Sequence, residues 1–193
     1  MTKRLQTMNT EEIEALLDGA EETDRLEFKG AMTWNKNQLV KDILAMANVQ
    51  DGGRIVIGVE DETFKREGVS EEQADTYKID DMRDQIAPFA DPKVIFKTQS
   101  ATDRNGLRYV VIDVAPFENQ PVICKRDGAD VQAGTIYFRS QAQKPQSARV
   151  SNANDMREIV DRAVVGAMRR QQKLGFTVAA GKAYDYDQEL GGL

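Results

Sequence analysis

Apolar residues recur at helical spacing in several separate stretches and crowd into short strand-like runs in between. Within 10–19, Ile13, Leu16 and Leu17 share one face; Asn9 or Thr10 caps the run, acids fill its first turn and Gly19 ends it. Leu39, Val40, Ile43, Leu44 and Ala47 give an amphipathic helix over 37–49, closed by Asp51-Gly52-Gly53. Ser70-Glu-Glu-Gln73 is a capping box. It opens a third helix with a break near Asp80 and an end at Pro88. From 154 to about 173, Met156, Ile159, Val160, Ala163, Val164, Ala167 and Met168 line one side of a long helix, a core stripe or a dimer seam.

The strand-like runs are 25–29, 54–59, 93–98, 107–114 and 134–139, with a short one at 121–124. Alternation in the first puts Leu26 and Phe28 on one side and Arg25, Glu27 and Lys29 on the other, facing a polar cleft or solvent. Arg104-Asn105-Gly106 joins two runs as a hairpin. Helices interleaved with hairpins give an α+β (mixed α/β) class, with a mostly antiparallel mixed sheet flanked by helices. The expected organisation is a frayed N-terminus over 1–9, one domain over 10–150, a helix over 151–174 and an extended arm over 175–193.

Composition narrows the chemistry. The chain has 193 residues, one cysteine and no histidine. Ser-His-Asp and Cys-His catalysis, histidine metal sites and cysteine zinc sites are therefore out. Carboxylates, Lys, Arg, Tyr and hydroxyls remain. No apolar run reaches the ~20 residues that span a bilayer, and the first ten residues have no signal-peptide core. The expected location is cytoplasmic. A net charge of −6 argues against indiscriminate nucleic-acid binding, whose affinity follows the phosphates neutralised. Residues 121–149 nevertheless carry a local excess of Lys and Arg, including Lys125, Arg126, Arg139 and Lys144.

Two pieces hold the candidate chemistry. One is Glu22-Thr-Asp-Arg-Leu-Glu27-Phe-Lys29. The other is Gly52-Gly-Arg-Ile-Val-Ile-Gly-Val-Glu-Asp61. If their strands are neighbours, Glu22, Glu27 and Asp61 converge, and such an oxygen set suits Mg²⁺ or Mn²⁺. The competing reading is that these acids are solvated or pair with Arg25, Lys29 or Arg54. Gly52-Gly53 makes a turn; no Gly-Lys-Ser/Thr follows, so it is no P-loop. Lys29, Arg54 and Arg139 are candidate phosphate contacts, and Trp34 and Tyr137 candidate base-stacking rings, each with a packing alternative.

The first piece, with Leu16-Leu-Asp-Gly ahead of it, resembles the opening of the Schlafen-type AlbA-like domain. Ala45-Met-Ala-Asn48-Val-Gln-Asp-Gly52-Gly53 running on to Asp61 is similar to that family's second hallmark. Gly68, Pro121-Val122 and Gly134-Thr-Ile-Tyr-Phe-Arg139 match weaker positions. The resemblance covers about residues 12–145. It implies a nucleic-acid-binding module, often part of bacterial regulators. In animal Schlafen proteins two lobes form a clamp that cleaves tRNA and rRNA with divalent metal, and the matching carboxylates here are Glu22, Glu27 and Asp61. With one lobe, a clamp takes a homodimer or higher homo-oligomer.

Three functions follow as expectations. The first is a nucleic-acid-binding domain of a regulatory kind using Lys29, Arg54, Lys125, Arg126, Arg139 and Lys144. The second is a metal-dependent endoribonuclease with Glu22, Glu27 and Asp61 as Mg²⁺ or Mn²⁺ ligands and Lys29 on phosphate. The third is a non-catalytic assembly protein.

Overall fold

The computed structural model describes residues 6–19, 21–140 and 145–175. In chain order the elements are β1 (Gln6–Thr7), α1 (Thr10–Leu17), β2 (Leu26–Lys29), α2 (Lys36–Ala47) and β3 (Gly53–Ile57). Then follow α3 (Glu71–Ala74), α4 (Ile79–Ile86), β4 (Ala90–Asp91), β5 (Phe96–Thr102) and β6 (Arg108–Val114). The last are β7 (Ile123–Cys124), β8 (Thr135–Arg139), β9 (Ser147–Arg149) and α5 (Ala153–Lys173). The class is α+β, as expected.

The strands form two sheets. The larger has the order β1-β5-β6-β3-β2, and the smaller β4-β7-β8-β9. β2 and β3 are parallel, with Glu27 opposite Ile55 and Lys29 opposite Ile57. Their connection runs through α2, the crossover that parallel neighbours require. β3 pairs antiparallel with β6, and β6 with β5.

Strand parity decides which layer each side chain enters. Phe28, Val56, Tyr109 and Val111 turn to one face of the large sheet and pack with Ile13 and Leu17 of α1. Ile55, Ile57, Val110 and Ile112 turn to the other face and meet Leu39, Ile43 and Met46 of α2. The smaller sheet adds Cys124 and Tyr137 to this second core. Asn48, fully buried, ties the two layers. Its amide donates to the carbonyls of Val122 and Tyr137 at 2.9 Å each, and its oxygen accepts the Val122 N–H at 2.8 Å.

The glycines in the second hallmark serve packing. Gly52 has φ +71°, and a Cβ there would stand 2.1 Å from the Val114 carbonyl oxygen. The turn therefore excludes any larger residue at that position.

Several boundaries differ from expectation. Residues 6–9 do not fray: Gln6–Thr7 pair in parallel with Gln99–Ser100, Met8 is buried, and Asn9 completes a capping box with Glu12. β5 begins later than the apolar run suggested, and it runs on to Thr102 because Asp103 fixes the hairpin turn. Its Oδ1 accepts the N–H groups of Asn105 and Leu107 at 2.9 and 2.8 Å. The third helix is two, α3 and α4, separated at 75–78. α5 forms where expected, but only Ile159 of its apolar stripe is buried. The expected arm lies, from residue 176 on, outside the described residues.

Candidate nucleic-acid interface and its carboxylate–cation cluster

Glu27 points from β2 toward α2 and is 6% exposed. Its two oxygens are both taken by cations: Oε1 accepts from the Lys29 ammonium and Oε2 from the Arg139 guanidinium. Lys29 Nζ also lies 3.6 Å from Oδ2 of Asp42, a buried acid on α2. Glu22 adjoins the cluster; its Oε1 accepts the Phe28 N–H at 3.2 Å.

Arg139, at the end of β8, has no exposed surface. Beyond Glu27 it donates to the Thr23 carbonyl at 2.9 Å from one terminal nitrogen and 3.3 Å from Nε. It reaches the Leu26 carbonyl and the Ser147 hydroxyl at 3.4 Å each. A guanidinium with its donors spread this way is a clasp between the small sheet and the β2 edge of the large one. It does not face solvent, so Arg139 is withdrawn from the phosphate contacts expected of it.

The electrostatics follow from this crowding. Burial pushes the Glu22 carboxyl above its ordinary value and the neighbouring Glu27 adds to the push, against the Phe28 N–H, Arg139 and Lys29. Asp42 is raised as well, by burial first and then by Glu27, while Lys29, the Ser147 hydroxyl and Arg139 oppose. Burial disfavours the Lys29 ammonium, but Asp42, Glu27 and Asp61 outweigh it and hold its pKa above the lysine value.

Thus Glu22, Glu27 and Lys29 come together as the sequence suggested. Asp61, past the end of β3, is exposed and joins only through its field at Lys29. A divalent ion does not fit this arrangement. Among the described residues no three acids or cysteines are grouped to hold a metal. Lys29 and Arg139 already occupy both oxygens of Glu27.

The remaining basic residues divide. Arg54 sits on the opposite face of the large sheet and pairs with Asp113 at 2.7 Å. Lys125 and Arg126 are exposed in the loop after β7. Arg126 lies over the Phe89 ring with its guanidinium carbon 6.0 Å from the centroid. Lys36, at the start of α2, lies over the same ring with Nζ at 5.4 Å. Two cations from distant segments thus gather around one aromatic, and the backbone N–H of Lys125 donates to the Phe89 carbonyl at 3.0 Å. Lys144 lies outside the described residues. The two aromatic candidates are structural: Trp34 donates to Gln85 at 3.0 Å and stacks edge-on with Tyr77, and buried Tyr137 accepts the Gln132 N–H at 2.9 Å.

Sequence reasoning missed Asp42 and Lys36. Asp42 carried a readable signal: Leu39, Ala45 and Met46, its neighbours at i−3, i+3 and i+4, are all apolar, so its face points inward. Lys36 gave none, because its partner ring is 53 residues away.

No curated protein matches the chain. Among solved structures it is similar to the DIP2311 protein from Corynebacterium diphtheriae, with a TM-score of 0.52 at 18% identity. The match covers 79% of this chain but only 28% of that one, so the likeness is to a part of a longer protein and concerns the fold alone. A second is the N-terminal domain of a protein from Nitrosomonas europaea named for its relation to the ATP-dependent DNA helicase RecG. Its TM-score is 0.48 at 20% identity, covering 75% of this chain and 95% of that one. The family described as Schlafen, AlbA_2 matches residues 22–148, which span β2 to β9, the clasp and the Asn48 tie. The chain belongs to the Schlafen AlbA_2 family.

Proposed function

We propose that this domain binds nucleic acid through its sugar–phosphate backbone at the Lys36–Lys125–Arg126 patch, without a metal ion and without cleaving it. The observation that carries the reading is the convergence of Lys36 and Arg126 on the Phe89 ring, with exposed Lys125 beside them. Cations fixed in this way lose less freedom on meeting a phosphate than free-swinging ones. Family membership points the same way. The net charge of −6 opposes indiscriminate contact with a polyanion and predicts a small number of phosphates engaged.

The endoribonuclease alternative assigns Glu22, Glu27 and Asp61 to Mg²⁺ or Mn²⁺ and needs Lys29 to leave Glu27. The same cluster serves the binding reading as a brace that fixes β2 and α2.

The test is fluorescence anisotropy with single-stranded RNA and duplex DNA of equal length, titrated at several salt concentrations with EDTA and with Mn²⁺. Wild-type binding should weaken steeply with salt and ignore EDTA. Lys36→Glu, Lys125→Glu and Arg126→Glu should each weaken it and lower the salt slope by about 1 per lost phosphate contact. Binding unmoved by all three changes would sink the patch. Mn²⁺-dependent cleavage abolished by Asp61→Ala would replace the proposal with the hydrolytic one.

A further inference from the structure

α5 touches the rest of the domain along one line only. Ile159 is buried with Val49 and Phe138. Arg162 donates to the Asn48 carbonyl and stacks 4.3 Å over Phe117. Gly166 rests on the Glu118 carbonyl so closely that a Cβ would come within 2.0 Å of it. The adjoining apolar stripe has no cover among the described residues: Met156 is 41% exposed, Val160 49%, Val164 46% and Met168 52%. A stripe of this length is more than the scattered apolar residues of an ordinary surface.

We infer that this stripe is a homodimer seam in which α5 pairs antiparallel with α5 of a second copy. Two observations select that occupant. The stripe reads Met–Val–Val–Met at intervals of four residues, the same in both directions. A two-fold axis near Arg162 then sets Met156 against the second copy's Met168, and Val160 against its Val164. The small Ala163 and Ala167 let the helices close in, as ridges settle into grooves. The second observation is charge. Arg169, Arg170 and Lys173 fill the C-terminal third of the helix with no acid among them, while in the first half Asp155, Glu158 and Asp161 slightly outweigh Arg157 and Arg162. Parallel pairing stacks three bases on three bases. Antiparallel pairing keeps the two basic ends apart and sets each beside a half of slight negative balance. The segment after residue 175 has Phe176, Ala180 and Tyr184 at this interval, but Gly181 interrupts it and one of the three is an alanine, so it matches the stripe less well than a second copy does.

The pairing is tested on the full chain. Sedimentation equilibrium should give a mass twice the 21.6 kDa of one chain. Val160→Glu with Val164→Glu should give a folded monomer with unchanged circular dichroism, since both side chains are already half exposed. Direction is read with a short bis-maleimide cross-linker, with buried Cys124 contributing little. A mixture of Met156→Cys and Met168→Cys chains should cross-link, and neither variant should do so alone. Cross-linking of each variant with itself would mean a parallel seam. A monomeric wild type would mean that the stripe is covered by the chain's own following segment or by another protein. Either result overturns the proposal.

Discussion

Arg139 and Glu27 stand 112 residues apart in the chain and meet as an ion pair with almost no access to water. The geometry makes the pair a joint between the two sheets. Removing one partner of such a pair leaves the other charge stranded and typically costs about 3–5 kcal/mol. Glu27→Gln and Arg139→Met should each lower the unfolding free energy by that order, read as a shifted urea midpoint at unchanged slope. Arg139→Lys should not rescue, because one ammonium does not span Glu27 and the carbonyls of Thr23 and Leu26 together. A loss no larger than an exposed pair gives, about 1 kcal/mol or less, would show that water screens the joint.

Glu22 supplies a pH dependence with a definite sign. Its carboxyl is raised above 4.5 in the folded chain, by burial and by Glu27. The folded state therefore holds that proton more tightly than the unfolded one. Its contribution to stability is full below pH 4.5 and falls as pH rises through the folded pKa. Glu22→Gln keeps an acceptor for the Phe28 N–H and removes the titration. The melting temperature of the variant minus that of the wild type should increase with pH across this window and level off above it. Asp42, raised in both proteins, largely cancels in the difference. A difference that shrinks with rising pH would contradict the assignment.

What the sequence made legible was local. The stripes of α1 and α2, the capping box at Ser70–Gln73 and the Asn105-Gly106 turn are read from neighbours a few residues apart, and the structure has them. The meeting of Glu22, Glu27 and Lys29 was legible because all three lie within one strand and its approach. What escaped depends on distant partners. Arg139 reads as a surface base until β8 is set against β2. Lys36 and Arg126 become one patch only through Phe89. The stripe of α5 was visible in the sequence, but its exposure depends on where the body ends, which periodicity does not encode.

Asn48 gives a test of how the layers are joined. From the end of α2 its side chain bonds the Val122 N–H and the carbonyls of Val122 and Tyr137. Asn48→Ala strands these groups in the interior, at about 1–3 kcal/mol for each left unpaired. The expected loss is at least about 2 kcal/mol in urea unfolding. Hydrogen exchange should localise it, with protection lost first at Val122 and its neighbours in the small sheet while β3 and β6 keep theirs. Uniform loss across both sheets would mean that Asn48 supports the whole core and not this joint.

Lys29 decides between the two kinds of chemistry open to the cluster. Its ammonium stands between Glu27 and Asp42, in the place where an oxygen-seeking cation would otherwise be drawn. While it is there, Mn²⁺ has to displace a cation that three acids hold in its charged form. Wild-type melting should therefore be the same in Mn²⁺ and in EDTA. Lys29→Met empties the position and leaves Glu27 and Asp42 facing one another beside Glu22. That variant should be less stable without metal and should recover with Mn²⁺. Its melting temperature should rise with the logarithm of the ion concentration, as linkage requires, and fall again on chelation. The opposite pattern, a wild type stabilised by Mn²⁺ and an Asp61→Ala variant that is not, would show that Lys29 yields its place and would return Asp61 to the centre of a metal site.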